Sequence, residues 1–155
     1  MTETLAADPT FRAARADGRW EAVDLLAYKA DGDAPFKDIT RQVLFHSPDL
    51  GCELRYFEVA AGGHSTLERH EHVHAVMILR GAGRCLVGEE VRDVGLHDLV
   101  SIPPFTWHQF RASPQQPLGF LCMVNKQRDR PQLPTDTELR DMRRNGAVAA
   151  FLDGR

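Results

Sequence analysis

No run of apolar residues in this chain approaches the ~20 that a membrane-spanning helix requires. Its first residues, MTETLAADPT, lack the basic stretch followed by an apolar one that marks a secretory leader, so a cytoplasmic location is expected. Cysteine is scarce. Cys52, Cys85 and Cys122 are too few and too irregularly spaced for a disulfide framework or a zinc knuckle, and free thiols are expected. Charge of one sign is lacking as well: a net charge of −3 gives no field that would gather nucleic acid or an anionic membrane, so neither is expected as a partner. Internal repeats, low-complexity tracts and a DNA-reading helix-turn-helix pattern are all missing.

What is present is an ordinary globular composition, 43% hydrophobic and 26% charged, in 155 residues, enough for one hydrophobic core and too few for two. Asp8 followed by Pro9 has the form of a helix start and Gly18 of a helix stop, which predicts a short amphipathic arm. From Trp20 to Lys126 the pattern changes to short apolar runs bounded by Gly, Pro, Asp and Asn. Strands are predicted around 39–45, with Ile39, Arg41, Val43 and Phe45 on one face, and around 53–59, stopped by Gly62-Gly63. Others follow at 76–79, 84–87, 99–102 and 118–124, with a turn at Gly88-Glu89. Such spacing without long helical periods implies an all-β sandwich or barrel. Thr135 and Glu138 form a capping-box pattern, so a C-terminal helix is predicted, broken near Gly146. The resulting organisation is an N-terminal arm over 1–35, a barrel over 36–126 and a tail with helix over 127–155. Arg140, Arg143 and Arg144 could reach a ligand phosphate but read more simply as a solvated helix face.

Glu68, His70, His72 and His74 share one parity, so a straight strand would aim all four to one side. Over that distance a strand spans roughly 20 Å, whereas metal–ligand bonds are only ~2 Å. The chain must turn between the ligands. Glu68 and His70 are then expected at the end of one segment, His74 at the start of the next strand, and His72 in the turn. The pair His70 and His72 remains an alternative. His46, His64 and His97 read as surface or hydrogen-bonded residues.

Gly62-x5-Glu68-x-His70-x3-His74-x6-Gly81 resembles the first cupin motif, Gly-x5-His-x-His-x3,4-Glu-x6-Gly. His97-x5-Pro103-x-Phe105-x2-His108 resembles the second, Gly-x5-Pro-x-Gly-x2-His-x3-Asn, with Ala112 at the Asn position. The resemblance implies a jelly-roll barrel, that is, a double-stranded β-helix, with a metal held by Glu68, His70, His74 and His108. Glu68 and His74 stand exchanged relative to the usual order, yet the set remains three imidazoles and one carboxylate. His97 and Phe105 replace two motif glycines without touching a ligand position. Such a donor set suits Mn, Fe, Co, Ni or Zn and is poor for Ca or Mg. The family resemblance also implies a homodimer.

The wider pattern, including Thr40-Arg-Gln-Val-Leu-Phe, Trp107-His-Gln-Phe and Gly119-Phe-Leu-Cys122, is similar to short cupins that include methylthio-xylulose 5-phosphate methylsulfurylases. That resemblance implies a small hydroxyketone substrate, release of methanethiol, a divalent ion with Mn foremost, and a thiol such as glutathione as co-substrate. Chemistry of this kind needs a thiol acceptor for the methylthio group and a Lewis acid beside the ketone. Cys122 is the candidate catalytic thiol, with a buried inert cysteine as the plain alternative. Two other readings stay open: a quercetinase-like Fe or Ni dioxygenase, and a non-catalytic metal-binding cupin.

Overall fold

The computed structural model describes residues 10–28 and 36–155. The described strands are β1 (Leu26–Ala27), β2 (Lys37–Phe45), β3 (Cys52–His64), β4 (His74–Gly81), β5 (Gly83–Val87), β6 (Glu90–Val94), β7 (Leu99–Ile102), β8 (His108–Ala112) and β9 (Leu118–Asn125). Two helices follow, α1 (Asp136–Met142) and α2 (Gly146–Leu152). The strands hydrogen-bond in the order β6-β5-β8-β3-β9-β4-β7, with β2 and then β1 added on β3, and every pairing is antiparallel. This is an all-β jelly-roll barrel. No helix among the described residues is long and apolar enough to cross a membrane.

Strand alternation decides what the barrel interior contains. On β9 the inward parity is Leu118, Phe120, Cys122 and Val124, all buried. Register places Phe57 opposite Phe120, Arg55 opposite Cys122, and Arg41 opposite Phe57 on the next strand. On the other side of β9, β4 places Ile78 opposite Phe120, Val76 opposite Cys122 and His74 opposite Val124. One end of the interior is therefore dry, with Phe110 and Phe57 stacked on Phe120 at 4.5 and 5.6 Å between ring centroids. The other end is polar, and the site lies there.

Several local expectations change. β3 does not stop at Gly62-Gly63 but runs on to His64, because a Cβ on Gly63 would lie 2.6 Å from the Lys37 carbonyl and glycine lets the strands cross that closely. Phe45 leaves the face of Ile39, Arg41 and Val43: a register shift after Val43 pairs it with Leu54 and leaves it 48% exposed. β6 and β8 were hidden from the sequence pattern, β6 because its Glu90, Arg92 and Asp93 face solvent. Over 10–28 there is no helix. Ala14 and Trp20 form an antiparallel bridge, Trp20 packs edge-on against Tyr56 at 4.8 Å, and the buried Gln42 amide donates to the Gly18 carbonyl at 2.8 Å. Asp8 and Pro9 lie outside the described residues. The capping box of Thr135 and Glu138 forms as expected, but the chain makes two helices, since Asn145 accepts from the Ala147 and Val148 amides and starts a new one. Val148 and Phe151 then close a small second core with Leu67 and Leu86.

The two motif glycines replaced here have a measurable consequence. His97 and Phe105 both adopt positive φ, 69° and 54°, a region that suits glycine and costs other residues of the order of 1–2 kcal/mol. Both side chains are exposed, so little packing would be lost on removing them. His97→Gly is expected to raise unfolding free energy by about 1 kcal/mol in urea titration, and an unchanged or lower midpoint at equal slope would refute the strain.

Candidate metal centre

The segment from the end of β3 to the start of β4 crosses the polar end of the barrel. Glu68 and His108 sit opposite each other in an isolated antiparallel bridge: the Glu68 amide donates to the His108 carbonyl at 3.2 Å, and the His108 amide returns the bond at 3.0 Å. Two residues on, the His70 carbonyl accepts from the Phe105 amide at 2.7 Å, which ties the loop before β8 to this segment. The chain then bends through 71–72, and His74 opens β4. The turn that the ligand spacing demanded is present.

Within this frame the side-chain donor atoms of Glu68, His70 and His108 lie within 4.8 Å of one another, and so do those of His70, His72 and His74. His70 belongs to both trios. Its ring centroid is 4.6 Å from that of His74 and 4.9 Å from that of His108. His72 does occupy the turn, but its ring does not face water: it is buried and stacked on His70 at 3.6 Å. Asp129 holds it there, taking bonds from the Glu71 amide at 2.8 Å and the His72 amide at 3.2 Å and lying 2.7 Å from His72 Nδ1. These bonds, the Glu71 amide foremost, keep the Asp129 carboxyl well below the usual carboxylate range. Asp129 lies 57 residues from His72, and no local pattern in the sequence marked it.

The hydrogen bonds of the rings fix which nitrogen faces the centre. His70 Nδ1 lies 2.7 Å from the His72 carbonyl and His108 Nδ1 2.9 Å from the Thr106 carbonyl. A carbonyl only accepts, so in each ring Nδ1 carries the proton and Nε2 keeps its lone pair. The Nε2 atoms of His70 and His74 are buried and have no hydrogen-bond partner among the described residues. Buried polar atoms without partners are uncommon and costly. Two in one cluster, that of His70 with its lone pair free, fit a cation. Burial first, then the neighbouring imidazoles beginning with His108, brings His70 down to about 4 and His74 to about 2. Both rings are thus neutral at pH 7, the state a metal ligand needs. Either trio could hold a divalent transition ion; Glu68, His70 and His108 are brought together as expected, whereas His74 is grouped with His70 and His72 and not with Glu68 and His108.

Cys122 faces the interior, is buried, and places Sγ 3.1 Å from His74 Nδ1. Burial pushes its thiol up to about 12, while Arg55 and Arg128 pull the other way. It lines the same cavity, of about 200 Å³, as His70, His72, His74 and Glu68. Tyr28 lines it too, its hydroxyl pushed upward by burial and by Glu68, a residue that nothing in the sequence singled out. Cys52 and Cys85 lie elsewhere, Cys85 in the apolar core. Arg143 and Arg144 are ion-paired to Asp153 and Asp141, and Arg140 donates to Thr137.

With this geometry in hand, a family model described as a cupin domain matches residues 55–124. A curated protein of Rhodospirillum rubrum, 1-methylthio-D-xylulose 5-phosphate methylsulfurylase, is 59% identical over 147 residues, covering 95% of this chain and 94% of that one. The crystal structure of a cupin 2 conserved barrel domain protein from Rhodopseudomonas palustris superposes with a TM-score of 0.87 at 58% identity, covering 92% of this chain and 98% of that one. A cupin-2 domain crystal structure from Rhodospirillum rubrum gives 0.85 at 59% identity, covering 93% and 97%.

Proposed function

This chain belongs to the cupin family, and on that premise we propose that it is a metal-dependent enzyme that releases methanethiol from 1-methylthio-xylulose 5-phosphate and leaves 1-deoxyxylulose 5-phosphate. The observation that carries the reading is that Cys122 lines one cavity with Glu68, His70, His72 and His74. The 59% identical relative bearing the methylsulfurylase name supports the same reaction.

Glu68, His70, His74 and His108 would hold the ion. Bound there, it supplies Lewis acidity for negative charge developing on the ketose oxygens. The remaining work falls to the protein. With His74 Nε2 directed at the centre, Nδ1 carries the ring proton and donates to Cys122 Sγ, an arrangement that favours the thiolate over the burial that opposes it. The thiolate attacks the methylthio sulfur. The carbon–sulfur electron pair passes to C1 as the enolate of the ketose, and C1 then takes a proton. The mixed disulfide between Cys122 and the methylthio group is reduced by two external thiols, giving methanethiol, a free Cys122 and one disulfide. The sum is one methylthio-ketose and two thiols to one deoxyketose, one methanethiol and one disulfide.

The test is anaerobic incubation of the Mn-loaded protein with 1-methylthio-xylulose 5-phosphate and glutathione, with headspace methanethiol and glutathione disulfide both measured. One of each per ketose consumed is expected. Consumption only in the presence of oxygen would point to a dioxygenase, and no consumption at all to a non-catalytic cupin.

A further inference from the structure

The wall of the cavity that holds the imidazole cluster also gathers three guanidinium groups, those of Arg41, Arg55 and Arg128. Strand register brings two of them. Arg55 shares the inward parity of Phe57 and Val59 and lies directly opposite Cys122, while Arg41 shares the parity of the buried Ile39 and lies one strand further out. Arg128 comes from the segment after β9.

Two of these cations share one carboxylate. Glu53 accepts from Arg55 Nε at 2.8 Å and from Arg128 Nη1 at 3.2 Å. Arg41 has no bond to any carboxylate among the described residues, and its Nε is buried without a partner. The Arg41 guanidinium is held below its usual value by burial and then by Arg55 and Arg128, a sign that the three fields overlap. The other carboxylates of the cavity are engaged elsewhere, Asp129 with Glu71 and His72, and Glu68 with the imidazole cluster. Desolvated cations that outnumber their counter-charges destabilise a fold until an anion joins them. Arginine forks match phosphate oxygens two at a time, and three forks suit a dianion better than a carboxylate.

We propose that Arg41, Arg55 and Arg128 form a phosphate site on the wall of the metal cavity, so that the substrate is a phosphomonoester anchored at the end opposite its reacting carbon. The proposal rests on the reading above and names the part of the site that would select the substrate class. Reach agrees with it. Arg41 and Cys122 lie two strand spacings and two residues apart, ~12 Å between backbones at about 4.8 Å per strand and 3.3 Å per residue, a gap that the arginine side chain shortens. A five-carbon chain ending in phosphate covers a comparable span with its bonds of ~1.5 Å. Arg140, Arg143 and Arg144, where the sequence suggested a phosphate contact, are engaged on and just after α1, Arg140 with Thr137, Arg143 with Asp153 and Arg144 with Asp141.

The probe is inorganic phosphate, titrated calorimetrically into metal-loaded and chelator-treated protein. Binding is expected in both forms. Arg41→Gln is expected to weaken it about 10- to 100-fold, the loss of a charge-assisted bond, and Arg41→Lys to recover part of it. Arg143→Gln, at the end of α1 and outside the lining of this cavity, should bind like wild type. Phosphate binding that vanishes with the metal, or is indifferent to Arg41→Gln in a protein of unchanged circular dichroism, overturns the site. A second readout separates this from the reaction itself. If methanethiol release proceeds but Arg41→Gln leaves the KM of the phosphorylated ketose unchanged, the phosphate site falls and the reaction stands. If phosphate binds as stated but no methanethiol forms, only the reaction falls.

Discussion

His70→Ala, purified beside wild type without chelator, is expected to lose nearly all of its transition metal and all measurable turnover while keeping its fold. His70 is common to both donor trios, so its removal breaks each of them. Changes to groups that merely orient ligands cost 10–100-fold in metal affinity, and loss of a ligand atom should cost at least about 10³-fold. The fold should survive because the residue sits in a connecting segment outside the strands, and because its Nε2 is an unsatisfied buried atom whose deletion removes a penalty. Metal content by mass spectrometry and the thermal midpoint after chelation are the two measurements. Occupancy near one ion per chain in His70→Ala would eliminate the centre. His72→Ala and His108→Ala, measured alongside, discriminate between the trios. Metal loss confined to His108→Ala selects the trio of Glu68, His70 and His108, loss confined to His72→Ala selects that of His70, His72 and His74, and comparable loss in both joins the two around His70.

The difference between what the sequence disclosed and what it withheld follows from the range of each interaction. The turn in the site segment was legible because residues two to four apart that were to share one metal could not do so from a straight strand. A turn between His70 and His74 was therefore expected, and the structure bends at 71–72. The barrel was legible for the same reason, since alternation is local. What failed was also local physics overridden by neighbours: the shift after Val43 that turns Phe45 outward comes from pairing with β3, and the continuation of β3 through Gly62-Gly63 comes from the closeness of Lys37. Partners remote in sequence carried no signal. Asp129 holds His72 from 57 residues away, and Arg41, Arg55 and Arg128 meet only once the sheet is curled. His97 and Phe105 lie between these extremes. Their places in the second motif were read from spacing, but the strain that each bears became visible only with its backbone angle.

Cys122→Ser is expected to bind metal and phosphate like wild type yet lose about 10³-fold or more in turnover, because a hydroxyl at pH 7 is a far weaker nucleophile toward sulfur than a thiolate. The substitution is nearly isosteric, and the buried position opposite Val76 and Arg55 should cost stability on the order of 1 kcal/mol. A purely packing role predicts a different result, namely a modest drop in thermal midpoint with activity intact. The contact with His74 separates the two readings further. If Sγ accepts from Nδ1–H as a thiolate, iodoacetamide should label Cys122 faster in metal-loaded than in chelator-treated protein, since an ion on Nε2 makes the ring a stronger donor. Cys85, in the apolar core with its thiol also pushed up to about 12 by burial and no imidazole among its hydrogen bonds, should resist the reagent in both forms. Full turnover in Cys122→Ser would leave the external thiol as the direct acceptor of the methylthio group, and Cys122 would then be a core residue that happens to touch His74.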